Sequence, residues 1–100
     1  MLKASFIIPH THPSLPGHFP GHPITPGVVS LDHVAQNLLR LIPDSAIDGF
    51  PQVKFLQPLP PGIEVFVSYQ LKNETLYQFS CESEDKIILS GQIRLATTET

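Results

Sequence analysis

Apolar and polar positions alternate through the second half of the chain. From Ile63 to Leu71, the residues Ile63, Val65, Val67, Tyr69 and Leu71 fall on one side and Glu64, Ser68 and Gln70 on the other, the period of a half-buried strand. Thr75 to Cys81 repeats the alternation with Tyr77, Phe79 and Cys81, and Ile87 to Leu95 forms the last strand. Lys72-Asn73-Glu74 and Glu82 to Asp85 supply the turns. Two shorter stretches precede these: Ala4 to Ile8, stopped by Pro9, and Gln52 to Leu56 with Val53 and Phe55 alternating. Consecutive strands with short turns predict an antiparallel meander.

The period changes to a helical one only between Val28 and about Leu41. Thr25 is a good N-cap, Pro26 suits the first helical position, and Gly27 lets another molecule approach the backbone closely. Pro43 ends the helix, and Asp44 to Gly49 is polar enough for a connection. Val28, Leu31, Ala35, Leu38, Leu39 and Ile42 share one apolar face, and Asp32 falls inside it. A carboxylate there is costly unless paired, and desolvation favours its protonated form, as a general acid needs. Gln36, one turn on, is placed to orient it. One strand, one long central helix and about four further strands make an α+β domain over residues 1–100, an antiparallel sheet of about five strands wrapped around the helix.

Composition narrows the function. A formal charge of −3 with six basic residues lacks the electrostatic footprint of a nucleic-acid binder. Cys81 is the only cysteine, which excludes an internal disulfide and a cysteine-based zinc site. No signal peptide or membrane-length apolar run interrupts the chain, so membrane insertion is not expected and the cytoplasm is the expected location. One helix cannot cover a five-stranded sheet, so a chain of this size is expected to pair with a second copy.

Four prolines between Pro16 and Pro26 stiffen the loop before the helix, and rigid loops position side chains. The run His18-Phe19-Pro20-Gly21-His22-Pro23, then Pro26-Gly27-Val28, then Leu31-Asp32 and Ala35-Gln36, closely resembles the active-site segment of the β-hydroxyacyl-acyl carrier protein dehydratases of the FabZ and FabA types, which have the hot-dog fold. Lys54-Phe55 followed by Pro61-Gly62 extends the resemblance. It implies that His18 and Asp32, fourteen residues apart, form the catalytic pair. It also implies that the Gly27 N–H binds the thioester carbonyl, with Gln36, Phe19 and Pro26 in support. The aspartate matches the FabA branch, whereas the rest of the loop is more like FabZ. The implied reaction removes water from a (3R)-hydroxyacyl chain on acyl carrier protein to give a trans-2-enoyl thioester, without metal or organic cofactor. The implied assembly is a homodimer with shared sites. Only seventeen residues precede His18, fewer than in full-length FabZ-type enzymes, which points to a specialised route such as aryl polyene or polyketide synthesis rather than general fatty acid synthesis.

Competing assignments remain open at this level. The same fold hosts thioesterases, and a non-catalytic acyl-binding partner subunit would carry the same core pattern. His10, His12, His18, His22 and His33 invite a metal site, but no cysteine or ordered carboxylate set completes a coordination sphere. Cys81, with a strand position and apolar neighbours, reads as a core thiol.

Overall fold

The alternating stretches of the second half pair as antiparallel neighbours in a computed structural model that describes residues 1–9 and 27–96. The elements are β1 (Leu2–Ile7), α1 (Gly27–Leu41), β2 (Ile47–Phe55), β3 (Glu64–Asn73), β4 (Leu76–Ser83) and β5 (Lys86–Leu95). They form one five-stranded sheet in the order β1-β3-β4-β5-β2, antiparallel at every ladder. The last three strands are the expected meander. β1 and β2 end up on opposite edges, so the chain between them must cross the sheet. α1 lies in that crossing and buries its inner side on the sheet.

Register converts alternation into two chemically distinct faces. Ala4, Val67, Cys81, Leu89 and Phe55 align across all five strands, and Leu2, Tyr69, Phe79, Gly91 and Val53 form the next row. Val65, Val67, Tyr69, Phe79, Cys81, Leu89 and Ile93 from this face are buried together with Val34 and Leu38 of the helix. Each such aliphatic or aromatic side chain contributes roughly 1.5–3 kcal/mol when fully buried. The opposite face carries rows of Lys3, Ser68, Ser80, Ser90 and Lys54, and of Gln70, Gln78, Gln92 and Gln52, which suit solvent. Glu84 and Asp85, both at positive φ, turn β4 into β5 as a two-residue hairpin whose twist matches the strands.

One buried polar contact ties the layers. The Tyr69 hydroxyl donates to the Val34 carbonyl at 2.7 Å. Burial pushes the phenol's pKa well up, with the neighbouring Cys81 adding to it, and burial pushes the Cys81 thiol up to about 12. That thiol is a core group without nucleophilic character.

Four details differ from expectation. β2 begins at Ile47, not after Gly49, because Ile47 pairs with Leu95 and register shifts at Gly49 and Gln52 let an irregular segment continue the ladder. Asn73 and Ser83 extend their strands, which leaves turns of only two residues after each. Leu71, though in phase with Tyr69, is 54 % exposed because nothing among the described residues covers the sheet at that end. The fourth concerns the helix. Its buried residues are Ser30, Val34, Asn37 and Leu38, an arc turned by about 100° from the apolar face expected, and Val28 is 73 % exposed.

Tyr69→Phe deletes the hydroxyl while the ring still fills its place, and should lower unfolding free energy by about 1 kcal/mol in urea titration. The alkaline limb of stability has a definite sign. Tyr69 and Cys81 hold their protons more tightly folded than unfolded, so their contribution is complete below the thiol's ordinary 9.0 and declines as pH climbs toward about 12. The loss approaches about 1.4 kcal/mol per pH unit for each group. Urea midpoints measured from pH 8 upward should fall along this limb, and Cys81→Ala should flatten its first part.

Candidate functional site

A cavity of about 390 Å³ opens where the N-terminus of α1 meets the link from β2 to β3 and the start of β5. Its size is within the range of small-molecule sites. Phe55, Leu56, Pro58, Leu59, Ile88 and Leu89 make most of the wall, with Gln57 beside them and Gly27 and Ser30 on the helix side. The proline-rich link keeps its shape because Leu56 N–H and Gln57 N–H both donate to the Ile88 carbonyl, at 2.8 and 3.1 Å, while Gly62 N–H donates to the Ile8 carbonyl at 2.7 Å. Leu59 is buried and anchors the link from below.

Gly27 is the first residue of α1, where the helix leaves its initial N–H groups without intrahelical acceptors. The absence of a side chain there has a structural use. A Cβ on Gly27 would stand 2.7 Å from Cε1 and Cζ of Phe55, so the ring lies directly on the glycine. Phe55, itself 56 % exposed, thereby forms one side of the cavity against the helix end.

Two polar groups leave α1 on opposite sides. Ser30 is 2 % exposed and faces the cavity, and its hydroxyl has no hydrogen-bond partner among the described residues. Asp32 and Gln36 lie roughly 120–160° round the helix from Ser30 and Val34. Both are exposed, and Gln36 Nε2 donates to Asp32 Oδ2 at 2.8 Å, the contact expected from their spacing. Asp32 therefore does not sit within the apolar arc its own chain buries, and its own chain does not supply the desolvation expected there. His33 stacks on Phe6 with ring centroids 5.1 Å apart, on the side of the helix that meets β1.

Of the residues singled out in the sequence, Gly27 borders the cavity and Asp32 and Gln36 form a pair on the outer helix face. His18, Phe19 and Pro26, with Thr25, His10, His12 and His22, lie outside the described residues. Ser30 is not among those singled out, since a serine among aliphatics carries no motif. Its only sequence signal is a position one turn after Gly27, on the same side of the helix.

A family model described as ApeI-like, ApeI dehydratase, matches residues 1–92. The chain is 27 % identical over 112 aligned residues to the 3-hydroxyacyl-[acyl-carrier-protein] dehydratase FabZ of Lawsonia intracellularis, covering 97 % of this chain and 73 % of that protein. Among solved structures it is similar to the dehydratase heterocomplex ApeI:P from Xenorhabdus doucetiae, with a TM-score of 0.81 at 27 % identity over 95 % of this chain and 86 % of the other. A point mutant of the fluoroacetyl-CoA-specific thioesterase FlK, in complex with fluoroacetate and CoA, superposes with a TM-score of 0.76 at 17 % identity over 96 % of this chain and 88 % of that one, a likeness of fold. The five-stranded sheet, with one helix among the described residues, is thus the hot-dog fold.

Gly27→Ala tests the contact between the helix end and Phe55. Because the ring is largely exposed and can swing aside, the variant should lose under about 1 kcal/mol of stability while the Phe55 ring resonances move in NMR spectra. Unfolding of the variant would mean that the ring is locked in place.

Proposed function

The chain belongs to the ApeI-like dehydratase family, and from that membership we propose that it eliminates water from a (3R)-hydroxyacyl thioester carried on acyl carrier protein, giving the trans-2-enoyl thioester. The observation that carries the proposal is the family match across residues 1–92, which takes in the whole His18 to Gln36 segment. The cavity beside Gly27 supports it, because a wall of Phe55, Leu56, Pro58, Leu59, Ile88 and Leu89 suits an acyl chain and repels water.

In this mechanism the His18 imidazole takes a proton from C2, and the electron pair moves toward the thioester oxygen as enolate charge. The Gly27 N–H at the helix N-terminus is the donor for that charge. Collapse of the enolate expels the 3-hydroxyl, which leaves as water with a proton from Asp32. The proton on His18 and the vacancy on Asp32 then exchange with solvent, so the enzyme is restored. Gln36 holds the Asp32 carboxyl through the 2.8 Å contact. Phe19 and Pro26 are the site's supporting residues. No metal or organic cofactor enters these steps.

The proposed working unit is a homodimer in which His18 of one subunit meets Asp32 of the other. Support comes from the outer helix face, where Asp32 and Gln36 adjoin exposed Val28, and from the exposed Phe55 and Leu56. The related ApeI:P assembly is a heterocomplex, so a second, different hot-dog chain is the competing partner. The proposed setting is the cytoplasm, in fatty acid, aryl polyene or polyketide type synthesis. Thioester hydrolysis is the weaker alternative, since the FlK likeness is one of fold.

The test uses 3-hydroxyacyl and enoyl carrier thioesters followed by mass spectrometry. The wild type should interconvert them, and His18→Ala and Asp32→Asn should each lose at least about 100-fold in rate. Mixing the two inactive variants and exchanging subunits should restore activity. Heterodimers without activity would place the pair within one chain, and release of free acid would replace dehydration by hydrolysis. Activity only on adding a second hot-dog protein would replace the homodimer.

A further inference from the structure

The Ser30 hydroxyl is a polar group of α1 that neither the family resemblance nor the mechanism above uses. It is 2 % exposed, it borders the cavity of about 390 Å³, and it has no hydrogen-bond partner among the described residues. Leaving a buried hydroxyl unpaired is costly, and serine is also a modest helix former. A protein that needed only packing at this position would gain by carrying alanine. The cavity is the open side from which a partner reaches this group.

The fold limits what that partner is. Side chains on an α-helix lean toward the helix N-terminus, so the hydroxyl of Ser30 lies over the turn that begins at Gly27. The first-turn N–H groups, which have no intrahelical acceptor, face the same region. An acceptor oxygen at this end of the cavity is therefore offered backbone donors and a hydroxyl donor together, and negative charge on it is favoured by the helix dipole. The rest of the described lining, apart from Gln57, is apolar. The bound molecule thus has one oxygen-bearing end at the helix and an apolar body along Phe55, Leu59, Ile88 and Leu89. No titratable group lines the cavity among the described residues.

We propose that the Ser30 hydroxyl is a second hydrogen-bond donor, beside the Gly27 N–H, to the thioester oxygen of the acyl substrate. The proposal rests on the dehydratase assignment for the identity of that oxygen. Its contribution grows as charge moves onto the oxygen on loss of the C2 proton, so it acts more on turnover than on binding. Ser30 is itself neutral throughout and exchanges no proton.

Ser30→Ala and Ser30→Thr test it, with three readouts: steady-state kinetics, thermal melting, and the infrared carbonyl band of a carbon-13-labelled enoyl thioester bound to the protein. In Ser30→Ala, kcat should fall about 10- to 100-fold with KM within about twofold. Its melting temperature should hold or rise, because a buried hydroxyl with no hydrogen-bond partner among the described residues has been removed. The bound carbonyl band should move back toward its position in free solution. Ser30→Thr, which keeps the hydroxyl beside open cavity volume, should recover most of both signals. Unchanged kcat and an unchanged band in Ser30→Ala overturn the proposal while leaving the dehydratase assignment intact. Activity lost in step with a lowered melting temperature, with the band unmoved, makes Ser30 structural and also overturns it. A wild type that binds the thioester without turnover defeats the dehydratase assignment alone, since the carbonyl band still decides on Ser30. A wild type that binds no acyl thioester defeats both.

Discussion

The hydrogen bond from Tyr69 to the Val34 carbonyl sets the helix on the sheet, and the site depends on that placement. Apolar contacts between α1 and the inner face are non-directional, so they alone would tolerate sliding or rotation. A mid-helix carbonyl accepting from a fully buried phenol does not, because any displacement strands the phenol hydroxyl away from water. With Val34 held over the middle of β3, Ser30 is brought one turn N-terminal on the same side, into the cavity. Asp32 and Gln36 are thereby turned outward.

The cavity follows from a second constraint, the way the link after β2 is pinned. Proline at positions 58, 60 and 61 removes backbone donors, so this segment cannot join the ladder, and its few N–H groups at Leu56 and Gln57 are taken up by Ile88. Held at one end by those bonds and at the other by Gly62 to Ile8, it stands away from the sheet and encloses space. Phe55 closes that space toward the helix because Gly27 has no side chain to keep it off. The missing Cβ of the helix-start glycine is therefore what lets Phe55 form this wall.

Strand identity and order in the second half are legible in the sequence because one face of β3, β4 and β5 is buried, and burial of one face is what alternation records. The start of β2 is not legible, because Ile47 to Gly49 pairs through an irregular register that erases the period. The helix is legible in extent, Gly27 to Leu41, but not in orientation. Small and polar Ser30 and Asn37 face the sheet, Asn37 satisfied by its 2.8 Å bond to the His33 carbonyl, while a second arc through Leu31, Ala35 and Leu39 is only half-buried. The apolar face expected from hydrophobicity follows this second arc, which borders Asp32 and so puts the acid in a false interior. Gln36 beside Asp32 is legible from spacing alone, whereas Ser30 needs the cavity to be seen.

A helix with two arcs of unlike chemistry has two surfaces to satisfy. The sheet takes the arc of Ser30, Val34, Asn37 and Leu38, which is narrow enough to sit close to the strands. The other side keeps Val28 exposed and Leu31, Ala35 and Leu39 half-buried around an acid already bonded by an amide. Apolar residues in that number around one carboxylate are a poor solvent-facing surface, yet a good one for covering by another protein surface. Covering would bury the aliphatics favourably and would take the Asp32 carboxyl out of water. Gln36 would limit the cost by keeping one oxygen of the acid hydrogen-bonded.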